Sequence, residues 1–283
     1  MYKLHKKLAE GGQGEVWVCT RKTDGKEFAM KLVKYKKNKF SQKEIENLVI
    51  EIGVMQIHDS PHMLKCYEAF NYKGAVFMIL DYMSGCITDL CESDFEYSEA
   101  ACKYICFETL KGLHFLHERH IVHRDIKSDN ILFDKDARIM LADFGCAAQL
   151  TKQLSARSTF RGTLHWLSPE MIRTLTDPNA KYGTAADIWA FGIFAIELAN
   201  RQPPYYENRD QHSVFGKILN STLGDRPLDK KWSDEFNDFV KTALQHDEHA
   251  RPSALQLLSH PFLKDAEKCK EECLAMLEKG FKK

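Results

Sequence analysis

Apolar and polar positions alternate in short runs through the first third of the chain, and glycines separate the runs. Residues 2–9 and 15–21 read as two strands across a Gly-rich turn, and Thr23-Asp24-Gly25 is a tight-hairpin signal leading into a third run, 26–34. The period then changes. Ser41 can cap a helix with Glu44 three residues on, and Ile45, Leu48, Ile52 and Met55 give that helix one predicted inward face. Residues 64–70 and 75–80 return to strand-like composition, and after Met83-Ser84-Gly85 the chain turns helical, which places a lobe boundary near Ser84.

Ser98 is positioned to cap a helix running through His117, and residues 131–133 and 138–141 read as short strands flanking an Asp-Lys-Asp turn. From 187 to 262 the pattern is helices and connecting loops, with Pro203-Pro204 and Pro252 as punctuation. The longest apolar run, 188–199, is short for a membrane span and carries Glu197, so it predicts a helix buried inside a large lobe. In the charged tail 265–283, Cys269, Cys273, Met276 and Leu277 fall at helical spacing and predict a last helix lying on that lobe.

Composition narrows the classes. The 283 residues carry 40 Lys and Arg against 40 Asp and Glu, so no global field draws the protein to nucleic acid or an anionic membrane. Nine cysteines, an odd count without paired framework spacing, fit a reducing compartment and predict a cytoplasmic location. Cys102 with Cys106, and Cys269 with Cys273, could each share a helix face, but neither pair has the CxxC spacing usual for zinc. His114, His117, His120 and His123 form a ladder that runs off a helix end, where one metal could not easily collect them; His123 is expected to pack against Phe144. The start has no apolar h-region and no Gly at position 2, so it reads as the first strand rather than an address.

Reactive residue types concentrate in two short stretches, His123-Arg124-Asp125-Ile126-Lys127-Ser128-Asp129-Asn130 and Asp143-Phe144-Gly145. Phosphoryl transfer needs a carboxylate to accept the attacking hydroxyl's proton, a cation near the migrating phosphate, and oxygen ligands for magnesium. Asp125, Lys127, and Asn130 with Asp143 supply those parts in order. With both elements complete, the chain resembles the eukaryotic protein-kinase superfamily over approximately residues 3 to 263. The resemblance implies an α+β bilobal fold: a small antiparallel sheet lobe with one main helix (about 1–83), a larger, mainly helical lobe (about 84–264), and 265–283 as an amphipathic helix or tail. It also implies ATP and Mg2+.

Further expectations follow residue by residue. Gly11 and Gly14 resemble the phosphate-facing glycines of the G-x-G-x-x-G-x-V loop, with Ala9 where the first glycine stands in the family. Phe28-Ala29-Met30-Lys31 resembles the V-A-I-K strand, and Glu51 is the carboxylate to pair with Lys31, ahead of Glu44 and Glu46. Leu80 takes the gatekeeper place, Asp81 and Met83 offer hinge backbone groups to adenine, and Val16, Ala29 and Leu132 form the apolar slot around it.

Lys127 two residues after the base is typical of Ser/Thr kinases, and Ile126-Lys127-Ser128-Asp129-Asn130 resembles the sterile-20-like kinases and, within them, the Rho-GTPase-activated (PAK) group. Arg157-Ser158-Thr159-Phe160-Arg161-Gly162-Thr163 resembles a PAK-like activation loop, which implies Thr159 as phosphosite with Arg124 as its receiver, and Thr163 bridging Asp125 and Lys127. Leu164-His165 departs from the family's Pro and Tyr and bears on substrate preference. Glu170 with Arg251 resembles the buried anchoring ion pair, and Asp187 the carboxylate that holds the catalytic loop's backbone. Asp129 and Glu197 are candidate readers of a basic residue upstream of the phosphorylated Ser or Thr, so the expected partners are protein substrates with such residues. PAK relatives carry a GTPase-binding segment ahead of the kinase domain; this chain begins at its first strand, so control by a Rho-type GTPase would act through segments absent from it. A pseudokinase scaffold, supported by Ala9, and a mitogen-activated kinase kinase kinase remain the alternatives.

Overall fold

A computed structural model describes residues 1–11, 14–34, 41–57, 60–94, 96, 98–149, 164–177, 179–220, 228 and 231–280. Thr159 and Thr163, with the rest of 150–163, lie outside the described residues.

Strands β1 (Tyr2–Gly11), β2 (Gly14–Arg21), β3 (Glu27–Lys34), β4 (Cys66–Tyr72) and β5 (Ala75–Leu80) form one antiparallel sheet in the order β1-β2-β3-β5-β4. The Thr23-Asp24-Gly25 turn closes as its residues require: Gly25 sits at φ 72°, and Arg21 donates its amide to the Lys26 carbonyl at 2.8 Å. Gly14 has φ 123°, and a Cβ there would collide with the Leu32 carbonyl oxygen, so the loop glycine is demanded by β3 as well as by any ligand.

Helix α1 (Gln42–Ile57) packs beneath this sheet. Its capping box forms as the sequence predicts, with Ser41 Oγ accepting from the Glu44 amide at 3.2 Å and Glu44 Oε2 accepting from the Ser41 amide at 2.8 Å. The inward face differs from expectation at its start: Met55 is buried, Leu48 and Ile52 are half-buried, and Ile45 is 42% exposed. The helix docks through its C-terminal half, where it meets β4 and the Phe144–Cys146 turn, and its first turns project beyond the core.

Strand β4 begins at Cys66 rather than at 64 for a specific reason. The Leu64 amide donates to Leu141 O and the Leu141 amide donates to His62 O, both at 2.9 Å, so residues 62–64 are tied to a strand of the other lobe instead of to the sheet. That strand is β9 (Ile139–Leu141), which lies with β6 (Gly85–Cys86) and β8 (Ile131–Phe133) in a three-stranded sheet; β7 (Ile121–Val122) pairs with β10 (Ala148–Gln149).

The rest is helical: α2 (Ile87–Cys91), α3 (Glu99–Glu118), α4 (Pro169–Arg173), α5 (Ala185–Asn200), α6 (Gln211–Asn220), α7 (Asp234–Ala243), α8 (Ala254–Leu258) and α9 (Lys270–Gly280). Ser98 caps α3 by accepting from the Ala101 amide. Every residue of α5 from Ala186 to Ala199 is buried, which accounts for an apolar run too short to span a membrane. No helix among the described residues is long and apolar enough to cross one. Helix α9 packs on α3 through buried Cys273, Met276 and Leu277, as the spacing predicts, while Cys269 is half-buried. The chain thus has an antiparallel sheet lobe with one main helix and a larger helical lobe.

Candidate active site

Between β7 and β8 the chain makes a loop that α5 holds from below. Asp187, at the first turn of α5, accepts the amides of His123 and Arg124, each at 2.8 Å, and meets His117 Nε2 at 2.9 Å. Burial alone would raise the Asp187 pKa, but the His117 contact, the nearby His123 ring and the Arg124 amide outweigh that and hold it low. His123 Nε2 lies 3.0 Å from Ala142 O, and its ring stands edge-on to Phe144 with centroids 5.1 Å apart, so the two acidic stretches are packed together.

The carboxylate this loop presents is Asp125. Asn130 donates Nδ2 both to the Asp125 carbonyl at 2.7 Å and to Asp125 Oδ2 at 2.8 Å, and Lys127 Nζ lies 3.7 Å from the same oxygen. Burial pushes the Asp125 pKa up against the opposing pull of Lys127, His123 and Asn130, which moves the group toward the range of a working general base.

On the nucleotide side, Lys31 on β3 meets Glu51 on α1 at 2.6 Å, and both side chains are nearly buried. Burial pulls the Lys31 pKa down, but Glu51 and Asp143 outweigh it and hold it raised. Asp143 has φ 61°, and its Oδ1 accepts weakly from the Gly145 amide at 3.4 Å; a Cβ on Gly145 would stand 3.3 Å from that oxygen and 3.6 Å from Glu51 Oε2. Phe144 is fully buried. Of the competing helix carboxylates, Glu44 is taken by the cap and Glu46 by Gln42.

Ala29, Leu80 and Met83 are buried in the main core, with Val16 and Leu132 half-buried against it. The register aligns them: Ala9 pairs with Val16, Ala29 with Leu80, and Cys86, just past the hinge, with Leu132; Gly11 closes the hairpin opposite Gly14. Asp81 is fixed by its own side chain, which accepts the Lys65 amide at 3.2 Å and the Tyr67 hydroxyl at 2.9 Å. The Asp81 carbonyl and the Met83 amide and carbonyl have no backbone partner among the described residues, which leaves a donor between two acceptors along one edge.

Mg2+ takes hard oxygen ligands and is usually shared between one or two protein oxygens and phosphate. Asn130 uses its Nδ2 on Asp125, which turns its Oδ1 outward from that contact, and Asp143 supplies a carboxylate, so the donor set fits. No group of three or more His, Cys, Asp or Glu arranged for a metal occurs among the described residues.

Glu197 is a correction. The sequence offers it as a reader of basic substrates, but it is only 5% exposed. Its Oε1 accepts from Ser128 Oγ at 2.5 Å, and its Oε2 accepts from the Ser128 amide and from Trp166 Nε1, both at 3.1 Å. Thr88 Oγ1 extends the chain to Ser128 Oγ at 2.8 Å. Burial pushes the Glu197 pKa up to about 7. The group therefore knits the catalytic loop to the segment after the activation loop, and Asp129, whose side chain is 55% exposed, is the remaining candidate reader.

Glu170 and Arg251 form their buried pair, with Nη1 to Oε1 at 2.7 Å and Nη2 to Oε2 at 3.3 Å. In the altered Leu164-His165 segment, Leu164 packs against the main core and His165 lies near the Trp166 and Tyr206 rings, with burial lowering its pKa. Arg124 carries its guanidinium 5.3 Å from the Tyr182 ring centroid. Sequence reading misses His117, Ser128, Thr88 and Tyr182. A His one turn from a helix end and a Ser inside a loop carry no local signal; only the fold brings them to Asp187 and Glu197.

Residues 2–263 match the family model described as protein kinase domain. Serine/threonine-protein kinase pakB of Dictyostelium discoideum is 40% identical over 264 residues, covering 92% of this chain and 30% of that protein. Serine/threonine-protein kinase 10 of Rattus norvegicus is 35% identical, covering 93% and 27%, and serine/threonine-protein kinase pakA of Dictyostelium discoideum is 35% identical, covering 92% and 21%. The chain therefore spans less than a third of the length of these relatives.

Proposed function

The chain belongs to the protein kinase domain family, and from that premise we propose that it is a sterile-20-like, PAK-type Ser/Thr protein kinase moving the γ-phosphate of ATP to Ser or Thr hydroxyls. Residues 1–264 form the catalytic domain in this reading, with 265–283 an appended helix and tail. Asp125 orients the substrate hydroxyl and accepts its proton. Lys127 stands beside that oxygen to balance charge on the transferring group, and Thr163 bridges the two. Asn130 and Asp143 hold Mg2+, which supplies charge neutralisation on the phosphates. Lys31, kept in place by Glu51, faces the phosphates; the Gly11 and Gly14 backbone covers them, with Ala9 at the loop's entry. Val16, Ala29, Leu80 and Leu132 enclose adenine, and Asp81 and Met83 hydrogen-bond it. The observation that carries this is the single oxygen Asp125 Oδ2, held at 2.8 Å by Asn130 with Lys127 at 3.7 Å.

Asp129 reads a basic residue upstream of the target. Phosphorylation of Thr159 activates the enzyme by giving Arg124 an anion, a Rho-type GTPase can govern it through segments other than those matched here, and its location is cytoplasmic. The test is transfer of labelled phosphate from Mg-ATP to a Ser/Thr peptide library. Asp125→Asn should lower the rate by about a hundredfold or more, as loss of a general base does. Nucleotide binding without transfer by the unaltered chain would support the scaffold instead.

A further inference from the structure

Arg124 combines three features that together describe a prepared receptor. Its backbone is in the left-handed region at φ 71°, held there by the hydrogen bond that its amide donates to Asp187 Oδ1. Its guanidinium lies over the face of Tyr182. Its Nε and Nη2 are buried and find no hydrogen-bond partner among the described residues. Those two nitrogens are the side-on fork of the guanidinium, the pair that donates two parallel bonds to one oxyanion. A buried fork without an acceptor is costly, and it persists only where the surrounding structure fixes it.

We propose that Tyr182 is the positioning residue that presets Arg124 for a phosphate monoester, its ring holding the flat face of the guanidinium so that the fork edge stays aimed and unpaired until the anion arrives. This rests on the reading of Thr159 as the phosphosite. Tyr182 and Asp187 belong to one short stretch, so side chain and backbone of Arg124 are gripped from the same connection into α5. An aromatic face leaves the in-plane donors open, whereas a carboxylate partner would occupy them; the ring therefore steadies the cation without competing with its ligand. The Tyr182 hydroxyl stays protonated, since burial raises its pKa despite Arg124.

The test compares the full chain autophosphorylated with Mg-ATP and the same protein after phosphatase treatment, reading the ratio of peptide-kinase rates and the 31P titration of the phosphothreonine. In the unaltered protein the ratio should be large, and the phosphate should titrate well below its ordinary second pKa of about 6, because the fork favours the dianion. Tyr182→Phe should keep both. Tyr182→Leu should lower the ratio roughly tenfold, the scale of a desolvated cation–π contact, and return the titration toward the ordinary value. Tyr182→Met, which fills irregular space more readily, repeats the test should Leu not fold. A large ratio in the unaltered protein that Tyr182→Leu and Tyr182→Met leave intact overturns the role of Tyr182 alone. A ratio near one, matched by Thr159→Ala, overturns the activation reading and this inference with it.

Discussion

Helices α1 and α5 each have 16 residues, and each lends carboxylates to the candidate site, yet they are held in opposite ways. In α5 every residue from Ala186 to Ala199 is buried, and Asp187 and Glu197 reach the catalytic loop from inside a closed core. Among the described side chains of α1 only Glu51, Val54 and Met55 are buried, while Val49 is 64% exposed. The Asp125 side of the candidate site is thus mounted on the most enclosed of the described helices, and the Lys31 side on one docked by half its length. Local stability follows buried apolar contact, so changes at Glu51 and along the exposed first half of α1 should have little effect on folding, and changes around α5 should act on folding first.

The largest contrast expected from this comparison is between two ion pairs. Arg251→Met strips Glu170 of the guanidinium that both its oxygens use, inside a pair whose side chains are 0% and 3% exposed. Removing one partner of so buried a pair should cost about 3–5 kcal/mol in denaturant unfolding. Glu51→Gln leaves Lys31 with the charge of Asp143, so its stability cost should stay near 1 kcal/mol, while phosphoryl transfer falls by roughly tenfold or more because Lys31 loses its orientation. Equal stability losses for the two variants would erase the distinction between the helices.

A second test uses pH and acts on α5 alone. Glu197 has a folded pKa of about 7 against 4.5 for the free group. Between those values the folded state keeps a proton that the unfolded chain has released. Stability linked to Glu197 is therefore full below 4.5, declines as pH rises, and is gone above 7. At about 1.4 kcal/mol per pH unit the window is worth at most roughly 3 kcal/mol. Gln at this position can keep the network: its oxygen accepts from Ser128 N and Trp166 Nε1, and its NH2 donates to Ser128 Oγ, which then donates to Thr88. The stability difference between the unaltered protein and Glu197→Gln should thus slope downward from pH 5 to 7 and flatten above 8, measured by urea unfolding at each pH. A difference independent of pH would mean that Glu197 is ionised throughout.

What the sequence makes legible follows the same division. The pairing of Lys31 with Glu51 and the packing of His123 on Phe144 can be read in advance because the chain resembles the protein-kinase superfamily at those positions. Ser41, Ser98 and Gly25 can be read because caps and turns are local chemistry. Glu197 shows where reading stops: a carboxylate in an apolar run is plainly inward, but its partners come from residues 88, 128 and 166, and nothing near 197 names them. Leu64 is apolar like the strand after it, and only β9 decides that its amide leaves the sheet. Ile45 has the right period for an inward face, yet period fixes which side of a helix is apolar and not how much of its length the core covers.

That last point gives the smallest and most discriminating expectation. Val49 and Ile45 lie in the uncovered first half of α1, at 64% and 42% exposure, whereas Met55, in its second half, is 1% exposed. Burial rather than residue type should set the cost of truncation. Val49→Ser and Ile45→Ser should change unfolding free energy by about 0.5 kcal/mol or less, and Met55→Ala by about 2–4 kcal/mol because it opens a cavity under the sheet. The same variants should leave the Glu51 pairing with Lys31 intact, so transfer rates for the two serine variants should stay within about twofold of the unaltered protein. If Val49→Ser instead destabilised as much as Met55→Ala, the exposed stripe would have to be buried in solution, and α1 would be as fully held as α5.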